Sequence, residues 1–308
     1  MMTSGSKRTV MIFTAAVLGL IAGLNIVFAP LRIMELNQMG RFKNSVRVPI
    51  LMYHHFGEEE ASGVVISPEQ FESQMKALVE AGYTSVSFRE VCDYAINGAR
   101  LPEKPVLITI DDGYMSVYES AYPILLKYNI KATVFIVGVF HGRTMYRDTP
   151  HLLQPPTFGD EEAREMSGSG LVSIQSHSYD MHHIKEFETE YRKGAMRMSG
   201  ETRSEYDEAF KADFARSSLV IENATGLMPF VYSYPYGRHN NRTEALLRGA
   251  GVEATVTIVP GINIIVAGNP ESLYKLRRLT INGNMTPEEL LDMMQTGTVP
   301  NRFATRFY

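Results

Sequence analysis

Val106–Tyr114 reads VLITIDDGY: five uncharged, strand-favouring residues, then two adjacent acids and a glycine. A short unbroken apolar run suits a strand covered on both faces, as in parallel sheets, rather than a one-sided antiparallel strand. On that reading Asp111 and Asp112 stand at the carboxyl end of a buried strand, the edge where α/β folds bind ligands. Two neighbouring carboxylates repel each other unless something positive shares the site. A plainer reading competes, because Asp-Gly forms turns and one acid could cap the turn while the other stays solvated.

Outward from this strand the same alternation continues. Apolar runs at VPILMYHHF, ATVFIVGVF, LVSIQSH, FVYSYPYG and VEATVTIVP alternate with helical periods from Val48 onward. Helices are expected over Glu69–Gly82, Tyr118–Asn129, Ser204–Asn223 and Pro287–Gly297. Ser67-Pro68-Glu69-Gln70 and Thr286 to Glu289 have the form of capping boxes opening the first and last of these. Arg143–Gly170, with its prolines, glycines and acids, breaks the rhythm and reads as a surface insertion. About seven strands alternating with helices point to one α/β domain, a distorted (β/α) barrel spanning 48–308. A doubly wound sheet is the alternative, but no G-x-G-x-x-G turn favours it.

The 308 residues are 44% hydrophobic and 21% charged with a net charge of −4, which gives a normal core and no basic field for nucleic acid. The single cysteine, Cys92, excludes an internal disulfide framework and a cysteine-based zinc site; its place in FREVCDYAI makes it a core thiol. Lys7 and Arg8 precede an uncharged run, Thr9–Ala29, about as long as the roughly 20 residues that cross a bilayer. This predicts a cytoplasmic flank at 1–8, a signal anchor or transmembrane helix at 9–29, a linker at 30–47 and a domain outside the cell membrane. Cleavage after Val27-Phe28-Ala29 would instead secrete the domain, although Pro30 disfavours it.

SHSYDMHH, Ser176–His183, holds three of the eight histidines. His177 follows the strand LVSIQS and so reaches the same edge as the two acids. One carboxylate and two histidines suit a catalytic divalent ion with positions left open. By spacing alone the second histidine is His182 or His183. The set also suits the iron of a non-haem oxygenase, a reading that the strand–helix alternation disfavours.

TIDDGY, SHSYDMH and YSYPYG, in this order and spacing, resemble the polysaccharide deacetylases (carbohydrate esterase family 4, the NodB-homology domain) from about Pro49 to the C-terminus. The branch it most resembles is that of the poly-N-acetylglucosamine deacetylases, in which the second histidine comes one place later than in H-[ST]-x-x-H. The resemblance implies a NodB-type barrel that hydrolyses N-acetyl groups of a glycan. Asp111 would be the general base, Asp112, His177 and His182 the ligands of a divalent metal, most simply zinc, and His183 a bystander. Pro235 and Tyr236 match one wall of the substrate groove, with the Tyr236 N–H as oxyanion donor. His54, after Tyr53, matches the acid of that branch, with His55 pointing away. Three family features are missing: the motif arginine is Ser233 here, no tryptophan is present, and no histidine follows His239. Arg238 or another basic group would have to replace the arginine. The implied function is metal-dependent N-deacetylation of an N-acetylglucosamine polysaccharide at the cell surface. A peptidoglycan or chitooligosaccharide substrate, or a non-catalytic carbohydrate-binding role on the same fold, are the alternatives.

Overall fold

The computed structural model describes residues 44–151, 155–188 and 190–303. The expected anchor at 9–29 and most of the linker lie outside them; among the described residues no helix is long and apolar enough to cross a membrane. From Val46 onward the described chain forms one compact unit.

Eight parallel strands form its main sheet; seven make a continuous run, β1 (Ile50–Tyr53), β2 (Pro105–Asp112), β3 (Ala132–Ile136), β4 (Val172–Ser176), β5 (Val231–Ser233), β6 (Ala254–Val256) and β7 (Leu279–Thr280), and the two-residue strand Thr84–Ser85 pairs with the start of β2 off that run. The order along the run is β6-β5-β4-β3-β2-β1-β7. It never reverses direction as a doubly wound sheet must, which favours the barrel-like reading over that alternative. The curl is drawn together where Val256 meets Leu276, in the segment entering β7, through an isolated parallel bridge. Two-residue β7 was not expected from the sequence, being too short to show a period.

The helices are α1 (Pro68–Glu80), α2 (Phe88–Asn97), α3 (Tyr122–Tyr128), α4 (Asp160–Gly168), α5 (Arg203–Thr225), α6 (Asn241–Gly249) and α7 (Pro287–Thr296). The Thr286–Glu289 capping box forms as expected. At α1 the box is incomplete: Ser67 accepts from the Gln70 N–H, but the Gln70 side chain bonds to the Met285 carbonyl instead of returning to Ser67. The helix expected over Tyr118–Asn129 begins as a π-helical turn, Val117–Ala121, before α3, whose second residue is Pro123. The reading of Arg143–Gly170 as an insertion fails at its end. Asp160–Gly168 is the crossover helix between β3 and β4 and buries Ala163 and Met166. Three acids in its first turn and only two buried side chains hid its period.

Residues alternate across the strands. In β2, Val106, Ile108 and Ile110 pack into the large core under the helices, as do Leu51 and Tyr53 of β1. Leu107 and Ile50 instead join Phe135, Val231 and Val256 in a second core on the inner face, which α2 covers; Cys92 lies there, its thiol pushed up to about 12 by burial. Thr109 and Asp111 continue the inner row of Leu107, and His54 continues that of Ile50 and Met52. The inner face thus turns from apolar to ionic toward the carboxyl edge.

Candidate active site

At that edge the alternation of β2 is broken on purpose-built backbone. Asp112 has φ of 73° and Gly113 the same, two consecutive left-handed residues. A Cβ on Gly113 would sit 2.9 Å from Ile136 Cγ2, so the second position admits only glycine. A non-glycine residue held at such φ is costly, about 1–3 kcal/mol, and persists where the surroundings over-determine it. The bend brings the Asp112 carboxylate, which would otherwise point away from Asp111, toward the histidines.

Asp112, His177 and His182 each offer a ligand atom, and these lie within 4.8 Å of one another. Asp112 Oδ1 is 3.7 Å from His177 Nε2 and 3.6 Å from His182 Nε2. Though buried, Asp112 Oδ1 has no hydrogen-bond partner. His177 Nδ1 lies 2.8 Å from the Ser233 carbonyl, which fixes the tautomer that leaves Nε2 free as a donor of electrons. Burial drives His182 down to about 4, against the pull of Asp112, so its ring is neutral near pH 7. An orphaned carboxylate oxygen facing two imidazole nitrogens is the donor set a divalent cation requires, and it fits zinc. His183 is turned away: its ring sits against the Asp180 carbonyl and the Arg192 N–H.

Asp111 is held differently. Burial would raise its pKa, but the Arg278 guanidinium, with His177 behind it, holds it well below the usual carboxylate range. Arg278 donates to both Asp111 oxygens at 2.7 Å each, to Ser233 Oγ at 3.1 Å and to the Thr257 carbonyl at 2.8 Å. Its side chain is fully buried. The basic group expected to replace the arginine missing at Ser233 is therefore Arg278, not Arg238. It comes from the segment entering β7, and the run KLRRLTI would have revealed it had that segment been read as a strand.

His54 faces the same cluster. Burial lowers its pKa while Asp112 and Asp111 pull it up, and its Nδ1 is buried without a partner. His55 lies on the other side of the strand, bonded to Ser116 Oγ at 2.8 Å and to Glu59 at 3.3 Å. Tyr236 repeats the device of Asp112: it has φ of 56° and precedes a left-handed glycine, Gly237, whose added Cβ would meet Ile258 at 2.5 Å. Its ring packs 4.2 Å from that of His182, and its hydroxyl donates to the His183 carbonyl. Pro235, beside it, is buried. Of the other histidines, His141 lies in the loop after β3, its side chain 7% exposed and bonded to Asp160.

A site with these motifs at strand ends has relatives. Residues 98–255 match the family model described as polysaccharide deacetylase. The chain is 30% identical over 240 residues to YxkH of Bacillus subtilis (strain 168), itself assigned to the polysaccharide deacetylases, covering 78% of this chain and 73% of that one. It is 27% identical over 203 residues to the poly-β-1,6-N-acetyl-D-glucosamine N-deacetylase of Staphylococcus aureus (strain MRSA252), with 66% of this chain and 64% of that one aligned. The solved structure of a de-N-acetylase from Aggregatibacter actinomycetemcomitans superimposes with a TM-score of 0.67 at 26% identity, covering 80% of this chain and 99% of that one. With the family model matching more than half of the chain and a relative 30% identical over most of both chains, the chain belongs to the polysaccharide deacetylase family.

Proposed function

We propose that this protein hydrolyses the N-acetyl groups of N-acetylglucosamine units in a polysaccharide outside the cell membrane, and that the reaction depends on a divalent metal, zinc by its donor set. The observation that carries the proposal is the pairing of two unlike carboxylates: Asp112, orphaned beside His177 and His182, and Asp111, clamped by Arg278. When bound, such an ion polarises the acetamide carbonyl and makes water a better nucleophile near neutral pH.

The residues of the chain do the rest. Asp111, kept ionised and oriented by Arg278, accepts the proton of the attacking water as its oxygen bonds the acetamide carbon. The Tyr236 N–H donates to the carbonyl oxygen as negative charge grows there. The carbon–nitrogen bond then breaks while His54 gives a proton to the departing amine, leaving acetate and a glucosamine unit. Pro235 and Tyr236 form one wall against which the sugar lies. Arg278 on Asp111 removes one motive for a merely carbohydrate-binding role, because the base retains its cationic partner.

The test is acetate release by the domain starting near Val46, stripped of metal and assayed with and without zinc on N-acetylglucosamine oligomers of β-1,4 and β-1,6 linkage. Zinc-restored release is expected, with the β-1,6 oligomers preferred. Replacing His54 by Ala in the same assay is expected to lower kcat about 10²–10⁴-fold. Zinc bound without acetate release from either oligomer would overturn the N-acetylglucosamine polysaccharide as substrate and favour a cell-wall glycan or the carbohydrate-binding reading.

A further inference from the structure

The two histidine ligands are five residues apart, a spacing that a helical turn cannot serve. At about 100° per residue, positions i and i+4 fall about 40° apart on a helix, while i and i+5 fall about 140° apart. The span from His177 to His182 is accordingly not helical. It passes through Ser178, fully buried with φ of 106°, and one side of it faces an open pocket of about 350 Å³ that Asp180, Met181 and Asp213 help to line. Part of the loop is held from elsewhere: Gly138 and Val139 donate to the Ser178 and Tyr179 carbonyls, the Met181 N–H donates to Ser178 Oγ, and Arg147 donates to the Asp180 carboxylate.

α5 holds it as well. Asp213, 8% exposed, accepts the N–H of Tyr179 at 2.9 Å and of Asp180 at 2.6 Å, the two peptides midway between the ligands. One turn further along the same face, Ser217 Oγ lies 2.8 Å from the Oγ of Ser176, the residue just before His177. Two positions on one helix thus grip the loop at its root and at its middle.

We propose that Asp213 is a positioning residue for the metal centre: its carboxylate holds the five-residue span in the form that brings His182 to Asp112, and so sets the affinity for the ion. The inference rests on the metal reading above. Burying an ionised carboxylate to bond two peptide N–H groups is costly for the fold, and burial pushes Asp213 up to about 6 despite those bonds. The chemistry of the site explains why the loop uses it.

The experiment measures zinc affinity directly, by competition with a chromophoric chelator, on metal-stripped wild type, Asp213→Asn and Asp213→Ala, with the melting temperature of each metal-free protein. Asn preserves shape but presents one acceptor instead of two. Loss of about 10–100-fold in zinc affinity is expected for Asp213→Ala, less for Asp213→Asn, with kcat recovering when zinc is raised to saturation. A folded Asp213→Asn protein that binds zinc as tightly as wild type overturns the proposal, even if its melting temperature has changed. Wild type that takes up no zinc overturns the metal reading and this inference with it.

Discussion

The two acids of VLITIDDGY look alike in sequence and have opposite surroundings. Asp111 lies in the inner row and meets a guanidinium fork; Asp112 leaves the row through a left-handed bend and meets imidazoles. That an acidic pair at a strand end needs positive company could be read from Coulomb repulsion alone. Which group supplied it could not, because Arg278 is 167 residues away and precedes a two-residue strand. The guanidinium also cannot be exchanged for any cation. Arg278→Lys keeps the charge but loses the two-pronged geometry, and is expected to lower kcat at least tenfold with a folded protein. Arg278→Ala leaves Asp111 buried and unpaired, and should cost about 3–5 kcal/mol of stability in urea unfolding. Equal activity of Arg278→Lys and wild type would remove Arg278 from the role of orienting the base.

At the scale of elements, the legible parts were those written in local code. Thr286 to Glu289 announced α7, and the apolar run of β2 announced a strand covered on both faces. α4 and α6 were missed because each buries few apolar side chains; α6 is capped by Asn240, whose side chain accepts the N–H groups of Arg242 and Thr243. The turns that shape the site are written as residue pairs, Asp112-Gly113 and Tyr236-Gly237, each left-handed twice in succession. Glycine is required at both second positions by φ and by the neighbour a Cβ would strike, Ile136 in one case and Ile258 in the other. Gly113→Ala is therefore expected to abolish activity and to lower the melting temperature, since any relief must move either β3 or the Asp112 carboxylate. A fully active Gly113→Ala enzyme would show that the bend is not needed.

At the scale of the molecule, the alternation of the strands decides which chemistry meets which. The inner face collects Asp111, Ser233 and His54 from three strands, while the outer face of the same strands is apolar and helix-covered. Polar burial has a cost that pH exposes. Asp213 is raised from 3.8 to about 6, by burial first, with Asp180 adding to it and the peptide bonds and Arg192 opposing. Between those two pH values the folded protein binds more protons at this site than the unfolded chain, so this group's contribution to stability falls as pH rises and levels off above about 6. The difference in melting temperature between metal-free wild type and Asp213→Asn should follow that curve, shrinking or turning negative from pH 4 to pH 6 and flat beyond it. A difference independent of pH would mean that Asp213 titrates as an ordinary exposed acid.

The path of the chain around the barrel has a consequence in time. Synthesis runs from the amino end, so the carboxylate of Asp111 exists long before the arginine at 278 that makes its burial tolerable. Until that late segment leaves the ribosome and joins β1 on one side and β6 on the other, the growing chain holds a charge that it cannot bury without a partner. The pairing that neutralises Asp111 is thus among the last that the order of synthesis allows.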